Sequence, residues 1–334
     1  MDEILVEEYR GSLVENVHRG HICGVGEGGA VRYEVGDAAS LTYMRSSGKP
    51  VQAIPAIMQG VDIAYALKEK EIAVMTGSHR AESFHVEALE TLMSKIGIQE
   101  EQLVCLPAYP LGENAKNQLI AEGKPKRRIY HNCSGKHLGI LSLCKHKGYS
   151  TDDYTEPDHP VQQQIVKVLS YLSEVPVDEI VIGTDGCGCP VYAIPLKSMA
   201  YVYLKLTCPE LIEDAAIRET VRKISGWMSR NPEMVAGTDR ICSTLLLDDN
   251  IFAKGGAKGV YCFGLKREKL GFAIKITDGS EEEWPLVVAA ILEQIGYARQ
   301  ETIASLYRLA PVAIMNDNNR IVGRNQSVFK LRHT

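Results

Sequence analysis

The chain has 334 residues, and its 37 Lys and Arg against 42 Asp and Glu give a formal charge of −5, so it lacks the basic excess of a nucleic-acid-binding surface. With 45% hydrophobic and 24% charged residues it is neither disordered nor a fibrous repeat, and its length suits two domains or one large compound one. The apolar run Trp284 to Leu292 is too short to cross a bilayer, Met1-Asp2-Glu3 lacks the basic flank of a signal peptide, and nine cysteines, an odd number, read as reduced thiols of a cytoplasmic protein.

Short strands open the chain at Val14 to Val17, His21 to Val25 and Val31 to Val35, separated by Gly-rich breaks. A helix is expected from Lys49, with Pro50 in its first turn and Pro55 as a kink. Further helices follow from apolar spacing at Phe84, Ala88, Leu89, Leu92 and Ile96, and at Val161, Ile165, Val168, Leu169 and Leu172. Ile180 to Ile182 reads as a buried strand. Thr207 and Glu210 form a capping box that would open a helix running to Trp227. Val260 to Leu265 and Phe272 to Ile276 form a hairpin, Trp284 to Tyr297 a helix, and Ala313 to Met315 with Arg320 to Val322 a closing hairpin. This order implies an α/β sandwich whose sheet takes both chain ends, at about residues 1–60 and 175–334, around a mainly helical region at 61–174.

Ser46-Ser47-Gly48-Lys49 is a Ser-x-x-Lys motif, which on a helix lets the amine reach the hydroxyl. A neutral lysine can then act as base for a nucleophilic serine. The motif also occurs at Ser142/Lys145 and Ser327/Lys330. The first of these reads as helix packing and the second as part of a mobile tail. Ser46 alone precedes a Pro-started helix, whose dipole favours developing negative charge. Ser78 follows at a loop-to-helix junction, then Lys254-Gly255-Gly256 before a strand. That order is the one serine β-lactamases and penicillin-binding proteins use, although Ser-Asp-Asn and a true Lys-Thr-Gly are missing.

Two clusters carry thiols: His131 to His137, with Cys133, and Gly183 to Pro190, with Asp185, Cys187 and Cys189. Neither has Cys-x₂-Cys spacing, so a zinc ion would have to bridge them. Reduced thiols in tight turns are the plainer alternative. Glu82 and His85, at i and i+3, either face the same site or cap their helix. The glycines of Gly24 to Gly29 do not fit a dinucleotide-binding fingerprint.

Taken together, Arg45-Ser46 to Lys49-Pro50, Ser78-His79-x-x-Glu82-x-x-His85, Asn132-Cys133-Ser134-Gly135-Lys136-His137, Asp185-Gly186-Cys187-Gly188, Gly237-Thr238-x-Arg240 and Lys254-x-Gly256-Ala257 resemble the class 3, or rhizobial-type, L-asparaginases. The resemblance runs in family order over nearly the whole chain. It implies a β-lactamase and DD-peptidase-like sandwich of a largely antiparallel sheet flanked by helices. It also implies hydrolysis of L-asparagine through an acyl-enzyme, with Ser46 paired to Lys49 and Ser78 to Lys254. Zinc would be held by Cys133, Lys136 and Cys187. Asp185 is expected to take the substrate's ammonium and Arg45 its carboxylate, with Glu82 and His137 as further substrate contacts. A homodimer is expected on the same ground, with no nucleic-acid or membrane partner. Alternatives are a hydrolase of lactams or small peptides and a non-catalytic zinc- or redox-responsive protein. The chain departs from the family pattern at Ala81 and Lys258, where Gly and Glu are expected, and in the acidic run Glu281-Glu282-Glu283, where an Arg is expected. These departures bear on substrate recognition.

Overall fold

The computed structural model describes all 334 residues. In chain order its strands are β1 (Glu3–Arg10), β2 (Leu13–Val25), β3 (Val31–Val35), β4 (Leu41–Tyr43), β5 (Val181–Thr184), β6 (Pro190–Pro195), β7 (Ile251–Gly255), β8 (Val260–Leu265), β9 (Leu270–Ile276), β10 (Ala313–Met315), β11 (Ile321–Ser327) and β12 (Arg332–His333). Its helices are α1 (Lys49–Met58), α2 (Val61–Ala64), α3 (Glu69–Met75), α4 (Ser83–Ile96), α5 (Glu113–Ala121), α6 (Ser134–Lys147), α7 (Pro160–Ser173), α8 (Leu196–Thr207), α9 (Ala215–Arg230), α10 (Pro232–Ala236), α11 (Ile241–Leu246), α12 (Trp284–Gln294) and α13 (Gln300–Leu309).

The chain divides into two compact units. The first comprises Met1–Thr42, Pro195–Thr207 and Asp239–Thr334. Its antiparallel sheet runs β10-β11-β1-β2-β9-β8-β7, with β3 on β2 and β12 on β3. Both chain ends therefore meet in one sheet, where β1 pairs with β11 and Val6 faces Ser327. The thirteen residues of β2 are long enough to take β1 along their first part and β3 along their last. Helix α8 lies against the sheet at Gly271, where an added Cβ would stand 2.1 Å from the Ala200 carbonyl oxygen. The close approach of backbone to backbone there requires glycine.

The second unit comprises Tyr43–Ile194 and Cys208–Thr238. It is mainly helical, and Ile54, Val74, Leu89, Leu141 and Leu169 lie in its buried core. Its helical region is wider than the 61–174 expected, because α1, the β5–β6 hairpin and α9 all belong to it. Helix α6 crosses α3 at Gly135, where a Cβ would lie 2.3 Å from the Val74 carbonyl oxygen.

Three local expectations change. Strand β1 supplies a sheet partner that alternation alone did not reveal, since its Glu-rich face is half-exposed. Val181 and Ile182 are 43% and 39% exposed, so β5 is an edge strand rather than a buried one. The capping box at Thr207 is not made: Thr207 ends α8 and donates to the Tyr203 carbonyl. Helix α9 starts instead at Asp214, whose carboxylate accepts from the Ala216 and Ile217 amides at 2.9 Å, a stronger N-cap. No helix is long and apolar enough to cross a membrane.

Candidate active site

Ser46 lies in the short turn Arg45–Gly48 that runs directly into α1, and Pro50 begins that helix without losing a hydrogen bond. Lys49 is 1% exposed. Its amine donates to the Gly77 carbonyl at 2.7 Å, to Ser78 Oγ at 3.0 Å and to the Asn132 carbonyl at 3.2 Å. Ser46 Oγ is not among these partners. Lys49 thus joins the serine loop at 77–78 to the thiol loop at 132–133. The serine loop is itself anchored, since the Ser78 amide donates to the Val235 carbonyl at 2.7 Å.

His79, beside Ser78, is fully buried. Its Nδ1 accepts from the Ala81 amide, and its Nε2 lies 2.8 Å from Ser134 Oγ. Ser134 in turn donates to the Ile129 carbonyl, so His79 is a neutral ring with its proton on Nε2. Burial holds its pKa well below the ordinary histidine value, with His85 and Lys49 adding to the effect. Its neighbour His85, whose ring lies 5.5 Å away centre to centre, is pushed down to about 4 by burial. His85 meets the Glu233 carbonyl at 2.9 Å, so it is a core residue that anchors α4 to α10.

The two thiol clusters meet. Cys133, Lys136, Cys187 and Cys189 are all at most 4% exposed, and His137 is fully buried beside them. Lys136 donates to Cys187 Sγ at 2.9 Å. The donor atoms of His137, Cys187 and Cys189 lie within 4.8 Å of one another. Burial alone would lower the Lys136 ammonium's pKa, yet the neighbouring sulfurs of Cys189, Cys133 and Cys187 hold it well above the ordinary lysine value. A hydrogen bond from Cys133 lowers the Cys187 thiol's pKa. Three thiols, an amine and an imidazole in a buried pocket are a soft donor set, and they fit a zinc-like ion. His137, expected at the substrate, instead holds Tyr154 at 2.6 Å and lies 3.6 Å from Cys189 Sγ. Tyr154 joins the cluster without having been marked for it, and Cys189, named in its loop but not as a ligand, joins it too. For Cys189 the available signal was its position two residues after Cys187, held there by the turn in which the Asp185 amide donates to the Cys189 carbonyl at 2.8 Å.

Arg45 and Asp185 face each other, with Nε 2.8 Å from Oδ1. The pair is short but misaligned, and Arg45 Nε is buried without a proper hydrogen bond. Arg45 also adopts φ +50°, a left-handed conformation that costs a non-glycine residue about 1 kcal/mol or more and clusters at functional sites. Glu82 is engaged by Thr238, whose amide and hydroxyl donate to its two oxygens at 3.0 and 2.7 Å. The departure at Ala81 has a backbone consequence, for Ala81 sits at φ +52° where glycine would be unstrained. Lys254 belongs to the first unit. It is 2% exposed on β7, paired with Cys262 of β8, and its amine donates to the Gly255 carbonyl at 2.7 Å.

A family model described as L-asparaginase II matches residues 6–327. No curated protein matches the chain. Solved structures similar to it include the D-alanine carboxypeptidase AmpC from Burkholderia cenocepacia, at 13% identity and a TM-score of 0.42, covering 82% of this chain and 93% of that one. A Bacillus glutaminase follows at 12% identity and 0.38, covering 84% and 92%. A beta-lactamase from Mycobacterium bovis stands at 12% and 0.37, covering 82% and 94%. Likeness at this level assigns no activity.

Proposed function

This chain belongs to the L-asparaginase II family and is an amidohydrolase; from that premise we propose that it hydrolyses the side-chain amide of L-asparagine to L-aspartate and ammonia. The observation that carries the chemistry is the set of contacts around Lys49. A neutral amine has two N–H groups and one lone pair. As an ammonium Lys49 donates to all three partners; once neutral, the Gly77 and Asn132 carbonyls still take its two N–H groups, and its lone pair turns to the Ser78 hydroxyl 3.0 Å away. Such an amine is a general base held ready for a hydroxyl proton.

In this reading Ser46 Oγ attacks the amide carbonyl and its proton passes through the Ser78 hydroxyl to Lys49. The tetrahedral oxyanion is held by main-chain amides ahead of α1, where the helix dipole favours negative charge. The C–N bond then breaks, the proton returns to the leaving nitrogen, and ammonia departs. Water adds to the acyl ester by the reverse route, with Lys49 again taking its proton. Lys254 enters this scheme through the family pattern alone, as a second lysine serving the leaving group.

The paired charges of Arg45 and Asp185 support an α-amino acid as substrate. Their ion pair is the mirror of a zwitterion's ammonium and carboxylate, and its misaligned geometry leaves little to lose on opening. A substrate carboxylate on Arg45 and ammonium on Asp185 would replace it with two charge-assisted contacts.

The buried thiol cluster is the proposed zinc centre, with Cys133, Lys136 and Cys187 as ligands and Cys189 and His137 within reach. Lys136 must give up its proton to ligate. Bound there, zinc would supply positive charge beside the Asn132 loop. The loop's own residues do the rest, since Asn132 holds the Lys49 amine through its carbonyl. Ammonia release from a panel of asparagine, glutamine, simple amides and lactams tests the assignment.

A further inference from the structure

In the first unit, His18 of β2 is enclosed by three carboxylates. Its Nδ1 lies 2.6 Å from Asp278 Oδ2, and its Nε2 lies 2.7 Å from Glu8 Oε1 and 3.4 Å from Glu283 Oε1. Asn16 Nδ2 is 3.3 Å from the same Nε2. Glu8 stands on β1, Asp278 in the turn after β9, and Glu283 at the N-cap of α12. His18 and Glu283 are 6% and 7% exposed. Glu283 Oε2 is buried with no hydrogen-bond partner.

This arrangement holds more negative charge than its histidine can balance. A neutral imidazole that donates Nδ1–H to Asp278 turns the lone pair of Nε2 towards the Glu8 carboxylate, and two acceptors then face each other across 2.7 Å. A cation must stand between them. A proton on Nε2 is one solution, but it leaves three carboxylates against one positive charge and does nothing for the orphaned oxygen of Glu283. A buried carboxylate oxygen without a partner is costly. A divalent ion that takes both oxygens of Glu283 relieves both defects together.

We propose that Glu8, His18 and Glu283 form a second metal site, distinct from the thiol cluster, that binds a divalent ion of the zinc or manganese type. Asp278 is its outer partner. A carboxylate on the far nitrogen fixes the tautomer and aim of a metal-binding imidazole. Asp278 is itself held, because its other oxygen accepts from the Ser280 amide at 2.8 Å. The ligand atoms of Glu8, His18 and Glu283 already lie within 4.8 Å of one another. Ligands about 2.0–2.2 Å from an ion stand roughly 3.4 Å apart in a tetrahedron. The His18–Glu283 separation of 3.4 Å meets this, and Glu8 need only swing back by a fraction of an ångström. Glu8 and Asp278 side chains are 26% and 43% exposed, which gives the ion a way in and leaves room for water to complete the shell. One imidazole with two carboxylates is a harder donor set than thiolates, so zinc and manganese suit it and cuprous copper does not.

The test uses the full chain carrying Cys133→Ser, Cys187→Ser and Cys189→Ser, which removes every thiol of the first cluster. Isothermal titration with zinc chloride, and separately with manganese chloride, should show one equivalent bound per chain. Glu283→Gln and Glu8→Gln, each nearly isosteric, should weaken that binding at least tenfold while circular dichroism stays unchanged. Asp278→Asn should weaken it less. X-ray absorption of the zinc-loaded protein should show nitrogen and oxygen ligands only. If neither ion binds at about 100 µM, His18 serves as a protonated link alone and the site is refuted. Binding that Glu8→Gln and Glu283→Gln leave unmoved, or a sulfur ligand in the absorption spectrum, would refute it equally.

Discussion

The Lys49 amine reaches Ser78 Oγ at 3.0 Å across 29 positions of sequence, and not the Ser46 hydroxyl three residues before it. Three partners from other loops, Gly77, Ser78 and Asn132, hold the amine, so the local three-residue spacing does not decide which hydroxyl it meets. Ser78 is therefore the hydroxyl in direct contact with the proposed base. Both Ser46→Ala and Ser78→Ala should lower kcat by about 10³-fold or more without loss of fold, because a missing nucleophile or relay is not replaced by binding. Steady-state kinetics with circular dichroism on the two variants checks this. If Ser46→Ala keeps more than about a tenth of the activity, Ser78 is itself the attacking group.

Metal content tests the thiol cluster. Freshly purified, reduced protein should carry about one tightly held zinc per chain, and Cys133→Ser and Cys187→Ser should lose it while remaining folded. Cys189→Ser should retain part of it if that thiol is only a neighbour. Elemental analysis after dialysis reads the outcome directly. Wild-type protein free of zinc would return all of these thiols to a packing role.

The neutral histidines make the second unit acid-sensitive. His85 has its pKa lowered to about 4, and His79 is held well below the ordinary value, both chiefly by burial. Below about pH 6.5 the unfolded chain takes up these protons and the folded one does not, so stability falls as pH falls and the loss ends near the folded value. For His85 the whole window is worth about 3 kcal/mol. Urea unfolding at pH 7.5 and 5.0 should show a lower midpoint in acid, and His85→Gln should show a shallower dependence. Equal pH slopes for the two proteins would contradict the assignment.

Gly135 is the hinge between sequence motif and packing. An alanine there would press its Cβ to within 2.3 Å of the Val74 carbonyl oxygen. Backbone cannot yield as a side-chain tip can, and overpacking of this kind costs about 1–3 kcal/mol. Gly135→Ala should therefore lower the thermal midpoint and, by shifting the start of α6, weaken zinc retention at Cys133 and Lys136. Calorimetry of the variant would show whether the crossing is as tight as its geometry requires.

How much was legible beforehand varied with the physics of each segment. The hairpin of β8 and β9, and helices α4 and α7, follow from apolar spacing because each buries one continuous face. The edge strand β5 misled because its Val and Ile are exposed, and alternation says nothing about what covers a face. The cap of α9 was misplaced because two cap-like residues lie seven apart, and only tertiary packing chose Asp214. At the site, the residue types named the chemistry, but the Lys49–Ser78 contact and the meeting of Cys187 with Lys136 join segments 29 and 51 residues apart. Such contacts are set by how helices pack, which no local pattern encodes. The cluster around His18 likewise joins β2 to residues 260 positions away.

The most direct test of the central claim is ammonia release by the purified protein from asparagine and from succinamic acid, which keeps the amide but lacks the α-ammonium, in wild type and in Asp185→Asn. The account predicts that wild type releases ammonia from asparagine and strongly prefers it to succinamate. Asp185→Asn should raise KM for asparagine by about tenfold or more, in keeping with loss of a charge-assisted contact, and should erase most of that preference. No ammonia from asparagine in the zinc-replete wild type, or a preference that Asp185→Asn leaves intact, would contradict it.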